Sequence, residues 1–203
     1  MENKAFSVKY TEIIDNVFPV LVSEKALAET PSLVNKDFIG CQKAYAILLT
    51  NEGFNAKAMV KVDTLEALNI TERELDKLAE INLRRLPASM IPMGKLLGPV
   101  FGAQEDGPLY VLRTTDFYGA NVLLREDVLN KAAEKMGGEM FIIPSSVHEV
   151  IVLPKNITSA EALEEMIRSV NEAEVVPEER LSDHLYSYEP GKGLSLAREE
   201  ATK

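Results

Sequence analysis

The stretch Met140-Phe-Ile-Ile-Pro-Ser-Ser-Val-His-Glu-Val-Ile-Val-Leu-Pro154 decides the fold class. It reads as two apolar strands joined by a short polar corner. In an extended run His148, Val150 and Val152 face one way, and Val147, Glu149, Ile151 and Leu153 the other. Both faces are apolar, so the second strand is expected to be central and covered on both sides. Pro144, Ser145 and Ser146 read as the turn, with hydroxyls taking backbone amides. A link this short joins antiparallel neighbours, because a parallel pair needs a crossover of a dozen or more residues.

A second tight link lies upstream. Residues 44–50 and 56–62 alternate around Asn51-Glu-Gly53 and read as a hairpin. Residues 17–22 form a strand whose Pro19 points to an edge or a bulge, and residues 109–114 form another. Thr71-Glu-Arg-Glu74 is a capping box, with Ile70 and Leu75 as its hydrophobic staple. Leu75, Leu78, Ala79, Asn82 and Leu86 then share a helical face, and Pro87 ends the helix. A helix over residues 127–136 is closed by Gly137-Gly138. Thr158-Ser-Ala-Glu161 reads as a second capping box, before an apolar face of Leu163, Met166, Ile167 and Val170. Residues 87–108 are rich in Pro, Gly and Met, show no period, and read as a connection. The expected architecture is α+β: a central mixed or antiparallel sheet with helices packed mainly on one face. Residues 1–188 form a single domain, and residues 189–203 a flexible tail.

Bulk properties exclude several classes of function. The chain has 203 residues, 27% of them charged, and a formal net charge of -10. Binding nucleic acid requires Lys and Arg to neutralise phosphates, and binding an anionic membrane requires them too. Neither partner is expected. A single cysteine, Cys41, excludes an intrachain disulfide and any multi-cysteine metal site. The opening residues lack an apolar signal core, and no run approaches ~18 apolar residues, so a cytoplasmic location is expected. No glycine-rich loop joins a strand to a helix, so neither a dinucleotide fingerprint nor a P-loop is present, and no cofactor is expected.

The polar corner supplies the candidate chemistry. Ser145, Ser146 and His148 sit there, and His148 is one of two histidines. The other, His184, follows Asp183 in Ser182-Asp-His184. Asp183 against His148, with a serine alongside, would give a hydroxyl–imidazole–carboxylate arrangement. His148, His184 and Asp183 or Glu149 are chemically suitable for a metal, though without the one-turn spacing of metal-binding helices. Glu149 diverges from His148 by strand periodicity. Arg113 and Asp116 flank a strand end, where they could pair with each other or bind an anion. Asn82, on an apolar helix face, suits either a buried amide bonded to backbone or a ligand contact.

Four segments carry a family resemblance: Ile81-Asn-Leu-Arg-Arg-Leu-Pro87, Asp116-Phe-Tyr-Gly-Ala-Asn-Val-Leu-Leu124, residues 141–154, and Pro177-Glu-Glu-Arg-Leu-Ser-Asp-His-Leu-Tyr186. Together they resemble family 5688 of the domains of unknown function, a bacterial family, over residues 6–188. A more distant likeness is to an uncharacterised cytosolic bacillus family. Members of the first family look longer at the N-terminus, so the resemblance implies a reduced version here. It implies no activity and assigns no functional residue. The reading from sequence is a non-catalytic binding or protein-interaction module, whose partner is a protein or a small ligand. Its docking surface is expected at the Pro19 strand or at residues 90–100. The alternative is a hydrolase or metal-dependent enzyme centred on Ser145, Ser146, His148, Asp183 and His184.

Overall fold

The computed structural model describes residues 10–51, 54–97, 107–114, 118–144 and 146–198. The first half contains α1 (Tyr10–Asp15), β1 (Val17–Val22), α2 (Glu24–Glu29), β2 (Asn35–Phe38), β3 (Cys41–Asn51), β4 (Phe54–Met59), α3 (Val62–Leu68) and α4 (Glu72–Arg85). Then follow β5 (Ser89–Pro92), α5 (Met93–Leu97), β6 (Tyr110–Arg113), a 3-10 helix (Gly119–Leu124), α6 (Glu126–Met136), β7 (Met140–Ile143), β8 (Val150–Pro154), α7 (Ala160–Glu174), β9 (Tyr186–Glu189) and β10 (Gly193–Leu196). The fold is α+β, and every strand pairing among the described residues is antiparallel.

The strands form two sheets. In the first, the long β3 pairs with β1 along one edge and with β2 and β4 along the other. The second runs β10-β9-β7-β8-β6-β5. The decisive stretch is the centre of the second sheet, as its two apolar faces require. Met140, Ile142, Val150 and Val152 pack towards α6 through Leu129, Ala132 and Ala133. Phe141, Ile143 and Leu153 pack the other way, against Leu163 and Ile167 of α7. This is the period of two expected of strands buried on both sides.

Local signals built the helices that frame this core. At α4 the Glu74 amide donates to Thr71 Oγ1 at 3.3 Å, and the Thr71 amide donates to Glu74 Oε2 at 2.8 Å. Gly137 closes α6 at φ +88°, where glycine has no Cβ to strain. The cap of α7 falls one residue later than expected: Ser159, not Thr158, accepts from the Ala162 amide at 3.3 Å. Its buried face is Leu163, Ile167 and Asn171, whereas Met166 and Val170 are exposed. The i, i+4 series holds, and the i+3 members lie on the solvent side.

Two segments depart from expectation more strongly. The supposed connection after Pro87 contains β5, paired residue for residue with β6. The supposed tail from Glu189 turns back through Gly191 and Gly193, both at positive φ, into β10. Leu194 and Leu196 of that strand pack against the main core. No helix among the described residues is long and apolar enough to cross a membrane.

Candidate functional site

The corner is held from two directions. The His148 amide donates to Ser146 Oγ at 3.2 Å, closing a local hydroxyl turn. The 3-10 helix presses against its back: a methyl group at Gly119 would come within 2.2 Å of the His148 carbonyl oxygen. Only glycine fits there. The Ala120 amide donates to the Val147 carbonyl at 3.2 Å.

Residues 144–147 also run antiparallel to residues 179–182. Ser146 bridges Arg180. The Val147 amide donates to the Glu179 carbonyl at 2.9 Å, and the Ser182 amide to the Pro144 carbonyl at 3.3 Å. This register carries the candidate residues apart. His148 lies at the Glu179 end, where its Nε2 is 3.4 Å from Glu179 Oε1. Asp183 and His184 lie beyond the opposite end, five and six positions on from the point facing His148. Asp183 Oδ1 accepts from Asn171 Nδ2 at 2.6 Å. The His184 ring packs on Gly40 (φ +69°) of the β2–β3 turn, where a methyl group would come within 3.0 Å of its Cδ2. The hydroxyl–imidazole–carboxylate arrangement expected from Ser146, His148 and Asp183 is therefore not assembled, and Ser145 lies outside the described residues. Among the described residues no three His, Cys, Asp or Glu side chains converge to hold a metal ion. Asp183 and His184 instead line a cavity of about 460 Å³ with Lys25 of α2, Gly40 of the β2–β3 turn, and Arg180.

The other polar candidates that the structure describes, Arg113 and Asn82, have partners within the chain. Arg113 pairs with Glu149 at 3.6 Å, and its expected partner Asp116 lies outside the described residues. Asn82 Nδ2 donates to the carbonyls of Ile14 at 2.8 Å and Val17 at 2.9 Å, and its Oδ1 accepts from Arg85 at 3.2 Å. Both amide hydrogens are engaged, which leaves none for a ligand. Cys41 is buried, and burial pushes its thiol up to about 11 against a hydrogen bond from Tyr186.

Sequence reasoning missed three features. Asp76 of α4 accepts from Lys36 and Lys43 at 2.7 Å and from Tyr45 at 2.6 Å. Burial raises its carboxyl, but these three donors outweigh burial and bring it to about 2. Arg125 donates through Nη1 to the Leu83 and Leu86 carbonyls at 2.9 and 3.1 Å, closing the end of α4. It also grips Asp127 through two parallel bonds of 2.7 and 2.8 Å.

The third is the strand character of the second sheet's edge: residues 90–100 were expected as a docking surface, but as a connection and not as strand β5. The Met93 amide donates inward to the Leu109 carbonyl at 2.9 Å. Antiparallel alternation then turns the N–H and C=O of Met90 outward. They find no hydrogen-bond partner among the described residues. Beside this edge lies a groove of about 390 Å³, walled by Met90, Leu112, Val128 and Ala132 and rimmed by Lys131 and Lys135. The like-charged pair Lys131 and Lys135, one turn apart on α6, was its available sequence signal.

The model of a family described as Family of unknown function (DUF5688) matches residues 3–190. The chain belongs to this family. The matched stretch includes the corner, the segment paired with it and the β5 edge; β10 lies beyond it. No curated protein and no solved structure matches the chain.

Proposed function

We propose that this member of the DUF5688 family is a non-catalytic protein-interaction module that takes up an extended segment of a partner along β5. The observation that carries this reading is the outward N–H and C=O of Met90 on a half-exposed edge strand. An unpaired edge is a template for another strand, and such addition is a recurrent mode of peptide recognition. Pro92 has no outward N–H to offer, so the pairing centres on Met90. A cytoplasmic bacterial setting goes with the reading, supported by the family resemblance and the acidic composition. The hydrolase or metal-enzyme reading draws no support from the register that separates His148 from Asp183 and His184.

Co-purification from the native cell tests the proposal. Met90→Pro removes the outward N–H without touching the bonds to β6. The variant is expected to lose a partner that the wild-type chain retains, while keeping its circular dichroism spectrum. A partner held equally by the folded variant would overturn the reading.

A further inference from the structure

The groove beside β5 adds a chemical preference to the open edge, a preference that rests on the β5 reading. A strand added to β5 would lie about 4.8 Å beyond it, with every second side chain on the α6 side. Arg125 of the turn entering α6 reaches the Leu86 carbonyl. At the other end, the Lys135 ammonium sits 4.4 Å from the centre of the Tyr110 ring, and Tyr110 is paired with Pro92. The helix therefore runs alongside β5 in the same direction. Lys131 and Lys135 are separated along that helix by about 6 Å. Side chains two apart on a strand are separated by roughly 6.7 Å. The two spacings match.

The charge of the groove is unlike that of the whole. The chain carries a formal net charge of -10, yet the titratable groups lining the groove are Arg125, Lys131, Lys135 and Asp127. Asp127 is held by Arg125, which draws its carboxyl below the usual range. Neither lysine forms an ion pair among the described residues. Like charges one turn apart disfavour the helix slightly, and the apolar walls beneath them leave room for an anion's stem.

We infer that the partner segment is acidic: an extended peptide carrying Asp or Glu at two positions, i and i+2, on its α6-facing side. Backbone pairing with Met90 supplies attachment, and Lys131 and Lys135 select the charge.

A library of random decapeptides displayed on phage, selected on the whole chain, tests this. The recovered peptides are expected to be enriched in Asp and Glu two positions apart. A synthetic peptide from that pool should protect the Met90 amide from hydrogen exchange. The double variant Lys131→Glu, Lys135→Glu also gives up the Lys135 contact with the Tyr110 ring; with an unchanged circular dichroism spectrum it should weaken that peptide about tenfold or more. Selection on that variant should invert the preference towards Lys and Arg. If bound peptides show no charge bias yet still protect Met90, the edge reading stands and the acidic inference falls. If no peptide is enriched, or bound peptides leave Met90 unprotected, both fall.

Discussion

The two sheets expose their edges differently. Both β1 and β5 are edge strands, and each carries a proline whose missing N–H would face outward. At β1 the Asn16 carbonyl bonds inward to Leu48, so the carbonyls of Val17 and Pro19 point away from the sheet. Asn82 of α4 donates to the first at 2.9 Å, and Asn121 of the 3-10 helix to the second at 3.1 Å. Every residue of β1 is buried. At β5 no side chain among the described residues performs that service, and all four residues are half-exposed. One edge is closed by two amides reaching across from helices, and the other is left open beside a basic groove. An unpaired edge is an aggregation hazard unless it is managed, so leaving one open calls for a use. The Pro19 strand, expected as a docking surface, is instead buried, with two outward carbonyls already taken.

The sharpest way to break this contrast is to remove the amides. Asn121→Ala strands the Pro19 carbonyl and also removes the acceptor of Thr114 Oγ1, 2.7 Å away. Orphaned buried groups cost about 1–3 kcal/mol each, so a loss of about 3 kcal/mol is expected. Asn82→Ala should lose about 2 kcal/mol for the same reason. Urea unfolding checks both, and an unmoved midpoint would show that β1 needs no closure.

A smaller effect is expected from the clasp that fastens α4 over the same sheet. The Asp76 carboxyl falls from 3.8 to about 2 on folding. A depressed carboxyl contributes stability that is present above its unfolded value and lost as pH falls through its folded value. The loss belongs between pH 3.8 and about 2. Unfolding free energies across that window should slope less steeply in Asp76→Asn than in the wild-type chain.

The smallest effect belongs to the open edge. Met90→Pro leaves the bonds to β6 intact and trims a half-buried side chain, so a loss of about 1 kcal/mol or less is expected in thermal melts. A loss as large as that of Asn121→Ala would mean that the Met90 edge carries structure rather than docking.

The difference between the edges also shows which parts of the fold were legible in the sequence. The capping box at Thr71, the Gly137 stop and the apolar alternation of residues 140–154 are local signals, each complete within a few residues, and each formed its element. The short strands β2, β5 and β10 carry no such signal. Asn35-Lys-Asp-Phe38 and Ser89-Met-Ile-Pro92 become strands because a neighbour offers a ladder, and Gly193–Leu196 becomes one because β9 does. The site suffered most from distance. Asn121 closes an edge 102 positions away in sequence, and nothing near Asn121 announces it. His148 and His184 stood out as the two imidazoles of the chain, but proximity is set by the register of residues 144–147 against residues 179–182.

Strand β1 has one more consequence. Val17 packs in the cluster beneath α4, Val20 and Val22 in a second cluster on β3, and Leu21 in the main core of the other sheet. One strand of six residues contributes to three packed clusters. The two halves are then expected to have no seam along which to separate. Opening either sheet must expose the buried residues of the other, so the pair should melt as one cooperative unit. The slowest-exchanging amides of both sheets should share a single opening free energy.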